Sequence, residues 1–212
     1  MAGVEVFERE LDRYEAWFDE HRNAHAAEVR AVKELVPAAG RSVEIGVGTG
    51  RFARPLGVRL GVDPCLAMLR LARDRGVEVL MGVGEALPLP DACFDVALMV
   101  TTICFLDDID RAFHEVRRIL RPKGCIVVGL VDRDSPLGRA YLERRGESVF
   151  YSLAEFYSVE EIMRLLSRVG FRGFEYRQTL FGPPAETPAS EPVKSGFGEG
   201  SFAAVRASIP AR

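Results

Sequence analysis

Short apolar runs recur along the middle of the chain: SVEIGV at 42–47, RLGVD at 59–63, VEVLMG at 77–82, FDVALMV at 94–100 and CIVVGLV at 125–131. They constrain the fold most strongly, because strands rich in Val, Ile and Leu with no polar face must be buried on both sides. Between them, Phe52–Val58, Leu66–Arg75 and Ile109–Leu120 carry apolar side chains three and four apart, the period of an amphipathic helix. Arg121-Pro122-Lys123-Gly124 stops the last of these helices and reads as a turn before the next strand. Strand and helix in alternation predict a doubly wound α/β domain, a parallel sheet covered by helices on both faces.

The flanks differ. Residues 5–36 place Phe7, Leu11, Tyr14, Phe18, Val29, Val32 and Leu35 at helical spacing among charges, and Pro37 with Gly40 ends that pattern. After the alternating core, Ser158–Val169 reads as a helix whose Ser158 and Glu161 form a capping box. Two strand candidates follow, GFEYRQTLF at 173–181 and SFAAVRASI at 201–209, joined by the Pro/Gly-rich GPPAETPASEPVKSGFGEG. With 212 residues, 48% of them hydrophobic, and no internal repeat or linker, the expectation is a single domain over 1–212. It divides into a helical cap at 1–40, a ligand-binding core at 41–131 and substrate-side segments with the final strands at 132–212.

Charge and cysteines narrow the function. Lys and Arg number 28 against 31 Asp and Glu, a net charge of −3, so no global electrostatic footprint for nucleic acid or an anionic membrane is present. Cys65, Cys93, Cys104 and Cys125 are widely spaced, without a C-x-x-C pair, and read as reduced core thiols. The N-terminus is too charged for a signal peptide, and no apolar run approaches the roughly 18–20 residues that span a bilayer. A cytoplasmic protein acting on a small molecule is expected, with its oligomeric state open.

The first apolar run passes into a glycine loop, VEIGVGTGRF at 43–52. A phosphate-binding loop requires G-x-x-x-x-G-K-S/T, and no Gly-Lys pair follows here. A dinucleotide fingerprint, G-x-G-x-x-G, requires a glycine at 51, where Arg51 stands. What remains is an acid, Glu44, then Gly46, Gly48 and Gly50 at alternate positions, then an acid, Asp63, closing the next strand. Glycines there let a ligand lie directly against peptide groups. Two further stretches belong with these: Asp63-Pro64-Cys65-Leu66-Ala67-Met68-Leu69, and Gly82-Val83-Gly84-Glu85-Ala86-Leu87-Pro88-Leu89-Pro90-Asp91-Ala92-Cys93-Phe94-Asp95.

In these motifs, over residues 41–131, the chain resembles the class I S-adenosylmethionine-dependent methyltransferases of type 11, the branch that includes ubiquinone- and menaquinone-biosynthesis enzymes. The resemblance implies a Rossmann-like seven-stranded sheet with its last strand antiparallel, and S-adenosyl-L-methionine as cofactor. It implies that Glu44 serves the methionyl ammonium, that Asp63 accepts from both ribose hydroxyls, and that Pro64 and Met68 flank the adenine. Gly46, Val47, Gly48, Gly50, Gly84, Glu85, Ala86 and Val100 complete the expected cofactor site. Val83 stands where the family often has the aspartate that reads the adenine amino group, so backbone groups of Gly84 and Glu85 are expected to read that edge. A nicotinamide-dependent oxidoreductase, disfavoured by Arg51, and a non-catalytic S-adenosylmethionine or nucleotide-binding module are the alternatives.

Ligands of doubly wound sheets lie outside the carboxyl ends of the strands. The N-terminal helices, the connection 132–157 and, if residues 173–181 form another parallel strand, the loop 182–200 can reach that edge, and the candidate acceptor or lid residues are Tyr14, Trp17, His25, Thr101, Arg133 and Tyr151. His21 and His25 share a helical face without a third ligand, so no metal site is expected. The fourth-strand exit, VTTICFLDD at 100–108, has neither the Asn/Asp-Pro-Pro-aromatic motif of nucleic-acid amino-methyltransferases nor the Pro-Cys of cytosine-C5 enzymes. A small-molecule methyl acceptor is favoured over nucleic acid, and no catalytic residue is assigned.

Overall fold

A computed structural model describes residues 3–211; residues 1, 2 and 212, which the predicted cap and final segment include, lie outside the described residues. Strands β1 (Ser42–Ile45), β2 (Leu60–Asp63), β3 (Glu78–Met81), β4 (Phe94–Val100), β5 (Leu120–Val131), β6 (Arg172–Thr179), β7 (Lys194–Ser195) and β8 (Phe202–Ser208) form one sheet in the order β3-β2-β1-β4-β5-β8-β6-β7. The first five pair in parallel, with Val43 opposite both Leu60 and Ala97. β8 inserts antiparallel to β5 and β6, Val205 facing Val128 and Tyr176. The predicted α/β fold and the antiparallel last strand are therefore present.

The sheet has eight strands rather than seven. The extra strand is the two-residue β7, taken from the Pro/Gly-rich segment and paired with β6 at Arg177 and Gln178. The Gln178 side chain explains why that segment is ordered: its amide donates to the Ser195 carbonyl and its oxygen accepts from the Glu199 and Gly200 N–H groups, both at 2.8 Å. A second difference lies before β5. Leu120 already pairs with Phe94, and the expected turn at 121–124 is an irregularity within the strand, with Lys123 at φ 68° and a register shift between Phe94 and Val96.

Alternate residues of the central strands divide the core between two faces, as the period of two requires. Val43, Ala97, Met99, Ile126 and Val128 pack beneath Phe113 and Val116 of α6 (Ile109–Ile119) and Ile162 and Leu166 of α8 (Val159–Val169). Val96, Leu98, Val100 and Val127 face α3 (Arg22–Lys33), the short α4 (Ala53–Leu56) and α5 (Leu66–Asp74). The predicted capping box closes α8: Ser158 N donates to Glu161 Oε2 at 2.9 Å, and Glu161 N donates to Ser158 Oγ at 3.3 Å.

The N-terminal helical stripe is broken into α1 (Gly3–Arg9), α2 (Leu11–Glu20) and α3, with interruptions at Glu10 and His21. This lets the chain bend over the carboxyl ends of β1, β2 and β4. β6 runs in the same direction as β5, so the segment after it starts at that same end of the sheet, and α7 (Pro136–Glu143) stands in the connection after β5. No helix among the described residues is long and apolar enough to cross a membrane.

Candidate functional site

The glycine loop turns sharply at the end of β1, with Gly46, Gly48 and Gly50 all at positive φ. Gly46 is further fixed by Thr102, whose side chain occupies the space a Cβ would need and whose hydroxyl donates to the Gly46 carbonyl at 3.2 Å. Gly50 serves packing instead: a Cβ there would lie 3.3 Å from Ala72 Cα and Val77 Cγ2, so its absence brings α5 against the loop.

Two acids converge on this loop. Asp63, at the end of β2, accepts from Gly48 N through one oxygen and Cys65 N through the other, each at 2.9 Å, and burial raises its carboxyl above the usual range despite those bonds. Both oxygens keep a free lone-pair site. Glu44 is 1% exposed. Burial raises its carboxyl well above the ordinary value, a bond from the Ala53 N–H opposes this, and the nearby Asp63 adds to it. The second Glu44 oxygen has no hydrogen-bond partner among the described residues.

Arg51 points away from the loop to α2. Its guanidinium meets Glu15 Oε2 at 2.6 Å, Arg75 also pairs with Glu15, and Thr49 Oγ1 donates to Glu15 Oε1 at 2.5 Å. Burial works against ionisation of Glu15, but the bonds from Arg75, Arg51 and Thr49 prevail and hold its carboxyl down to about 2. This cluster clamps α2 onto the glycine loop and sets Tyr14 over it, the phenol oxygen 3.1 Å from where a Gly48 Cβ would lie. Burial, then the charges of Asp63 and Glu44, raise the Tyr14 hydroxyl far above its usual value.

A cleft of about 620 Å³ opens from these acids and passes beneath the helical cap. At one end Glu44, Gly46, Val47, Gly48, Asp63, Pro64, Met68, Gly84 and Glu85 line it. Away from the loop it is lined by Leu137, Tyr157 and the mutually contacting rings of Tyr141, Tyr151 and Phe156, and Tyr14, Trp17, Val100 and Thr101 line it as well. Thr101 holds a left-handed φ of 51°, a conformation costly for a β-branched residue and common where a strand end serves a site. Phe7 stacks on Phe150 at 5.2 Å and meets Phe105 edge-on at 4.9 Å, so α1 reaches both the β4 exit and the 132–157 connection. Tyr141 and Tyr151 stack at 4.1 Å.

A methyltransferase domain model matches residues 43–128. An uncharacterised protein of Methanocaldococcus jannaschii is 39% identical over 96% of this chain and 98% of its own length. An uncharacterised protein of Mycobacterium tuberculosis is 42% identical over 83% of this chain, which spans 63% of that longer protein. The crystal structure of an S-adenosylmethionine-dependent methyltransferase of Thermotoga maritima, described as a possible histamine N-methyltransferase, shares 52% identity over 97% of this chain and 98% of its own, with a TM-score of 0.94. The chain belongs to the S-adenosylmethionine-dependent methyltransferases.

The cleft fits the cofactor of that family. An orphaned, buried carboxylate oxygen on Glu44 is suited to an ammonium, the open peptide face at Gly48 to a ligand in close approach, and the free positions on Asp63 to a diol. The third glycine role of a dinucleotide fingerprint, close helix packing, is filled by Gly50, and Arg51 is committed to Glu15.

Four expected site residues stand apart from the cleft lining. Gly50 packs against α5, as above. Ala86 closes a tight turn with its N–H on the Val83 carbonyl, while the Glu85 carboxylate accepts from Asp107 N at 2.9 Å. His25 lies behind the loop, edge-on to Phe18 and Phe52 with Nε2 on the Arg51 carbonyl at 3.1 Å, and burial pushes its pKa down to about 4. Arg133 turns outward to Glu161 at 2.9 Å and Asp134 at 3.4 Å, because the capping box places that glutamate beside it.

Among the lining residues that the sequence did not single out is an acid, Glu28 of α3, 3% exposed. Its signal was present. Glu28 shares the stripe of Ala24, Ala27, Ala31 and Val32, an acid at a position that the helical period assigns to the core.

Proposed function

We propose that this methyltransferase takes a small-molecule acceptor in the aromatic end of the cleft and its methyl donor at the glycine-loop end. The observation that carries this is a continuous cleft with two chemically distinct ends, acids and open backbone at one, aromatic rings at the other. When bound, S-adenosylmethionine supplies a methyl carbon made electrophilic by its positively charged sulfur. The protein's own contribution is to hold the two reactants in line and exclude water.

Glu44 would take the ammonium on its free oxygen, Asp63 the ribose, and Pro64 and Met68 the adenine faces, with Gly84 and Glu85 at its edge. Val47, Gly46 and Gly48 would form the floor. Tyr14, held by the Glu15 clamp, together with Thr101 and Val100 would define the passage to the acceptor, and Trp17 and Tyr151 would bound the acceptor itself. A near-neutral surface charge and the absence of nucleic-acid motifs at the β4 exit support a small acceptor. Four free thiols suit a reducing compartment, for which we propose the cytoplasm.

Titration calorimetry with S-adenosylhomocysteine tests this assignment. Wild type should bind one equivalent, and Glu44→Gln should weaken binding about tenfold or more, the scale of a buried charge-assisted contact. Unchanged affinity in Glu44→Gln would remove the ammonium site from Glu44.

A further inference from the structure

Glu28 is the buried acid that the donor site leaves unexplained. Its side chain is almost fully buried, yet its carboxylate, which no hydrogen bond or ion pair holds among the described residues, is open to the cleft rather than sealed like the second Glu44 oxygen. A buried carboxylate without a partner is costly, and native proteins keep one where a ligand or a reaction uses it. Burial raises its carboxyl to about 8. Glu28 lines the same cleft as Tyr141 of α7 and Tyr151 of the following segment, the stacked pair, whose hydroxyls burial raises and the charge of Glu28 raises further. The other ionisable groups facing this pair are the Cys104 thiol, which burial pushes up to about 12, and Arg13 of α2.

The walls narrow the chemistry further. Aromatic faces favour an organic cation. An anionic acceptor would meet Glu28, while of the arginines lining the cleft Arg51 is committed to Glu15 and Arg13, which also faces the tyrosine pair, lies on the exposed side of α2.

We propose that Glu28 recognises the methyl acceptor, and that the acceptor is a small organic amine with its nitrogen on the Glu28 carboxylate and its apolar body against Tyr141, Tyr151 and Trp17. This rests on the reading of the aromatic end as the acceptor pocket. Glu28, protonated in the free protein at neutral pH, releases that proton to solvent as the ammonium binds, and the bound ammonium then passes one proton to the Glu28 carboxylate, leaving a neutral nitrogen. Its lone pair forms the new C–N bond to the methyl carbon while the C–S bond breaks and its electron pair stays on sulfur. The methylated nitrogen, now cationic, releases a proton to solvent or departs as the cation, and Glu28 keeps the proton it accepted, the state of the free protein. A carboxyl that titrates near neutral pH can both accept and release that proton.

Trp17 is the sole tryptophan of the chain and lines the cleft, so its fluorescence reports binding in the full-length protein. The probes are arylalkyl- and alkylamines, 2-phenylethylamine first, each with its alcohol and carboxylate isosteres, titrated with S-adenosylhomocysteine present. Wild type should bind at least one amine tenfold or more tightly than its isosteres. Glu28→Gln should lose at least tenfold of that affinity, keep S-adenosylhomocysteine affinity within twofold, and bind the alcohol as well as before. A wild type that binds S-adenosylhomocysteine but prefers alcohols or carboxylates, or binds none of the amines, overturns the proposal, as does a Glu28→Gln protein that binds the amine unchanged. A wild type that fails to bind S-adenosylhomocysteine removes the assignment of the donor site instead, which keeps the two failures distinct.

Discussion

The two ends of the cleft are built in opposite ways. The glycine-loop end, where we propose that the donor binds, is made at strand termini: backbone N–H groups of Gly48 and Cys65, a peptide surface kept bare by glycine, and two acids fixed by the register of β1 and β2. The aromatic end, proposed for the acceptor, is made of side chains from α2, α3, α7 and the 148–157 segment, brought together from distant parts of the chain. Where backbone geometry does the binding, few sequences satisfy it. Where side chains do, many combinations serve, and substrate choice can change without disturbing the sheet.

Asp63 carries the most weight at the glycine-loop end. Asp63→Ala removes the diol acceptor and leaves the Gly48 and Cys65 N–H groups without their partner, so S-adenosylhomocysteine affinity should fall about 100-fold, on the order of 3 kcal/mol. Calorimetry on the variant, with circular dichroism to show that it is folded, measures this. A loss below threefold would mean that the donor end is misassigned.

At the acceptor end the expected signature is a gain in stability. The folded carboxyl of Glu28, raised by burial to about 8, lies above its ordinary value of 4.5. The native state therefore holds a proton that the unfolded state releases, and stability present below pH 4.5 is lost as pH rises through 8. The difference amounts to about 3 kcal/mol at pH 7. Glu28→Gln should melt several degrees higher than wild type at pH 7.5, with the gap closing towards pH 4. A gap independent of pH would show that Glu28 is not a buried ionising group.

The clamp between the two ends should respond more mildly. Glu15→Gln weakens its contacts with Arg51 and Arg75, and since all three are partly exposed, about 1 kcal/mol of stability and a few-fold loss of S-adenosylhomocysteine affinity are expected. The Glu15 carboxyl is held below its ordinary value, so the clamp contributes above pH 4.5 and is lost as pH falls towards 2. Melting curves from pH 7 to pH 3 should therefore bring wild type and variant together. Smallest of all, Arg133→Ala should leave S-adenosylhomocysteine and acceptor affinities within about twofold, because Arg133 faces Glu161 and Asp134, partners on the surface. A tenfold loss in binding would return Arg133 to the site.

The same contrast decides what was legible in the sequence. The parallel core could be read because each apolar run had to be buried on both faces, and β4 matches its run residue for residue at 94–100. The α8 capping box was visible because three-residue spacing is itself the geometry of a helix start. Glu44, Gly48 and Asp63 could be placed in the cleft because their roles depend on strand ends and turns. Arg133 could not, since whether a guanidinium in a connection turns inward depends on Glu161, 28 residues further on. His25 shares a helix with Glu28, but only packing shows that the histidine lies behind the loop while the acid faces the cleft. β7 depends on a Gln178 side chain whose partners no local pattern reveals.

A crystal structure with bound S-adenosylhomocysteine tests the division of the cleft most directly. The ribose hydroxyls should lie on Asp63, the ammonium on the free Glu44 oxygen, and the sulfur should be directed past Thr101 towards Tyr141, Tyr151 and Glu28. Adenosine seated among Tyr141, Tyr151 and Trp17, with Glu44 and Asp63 untouched, would contradict it.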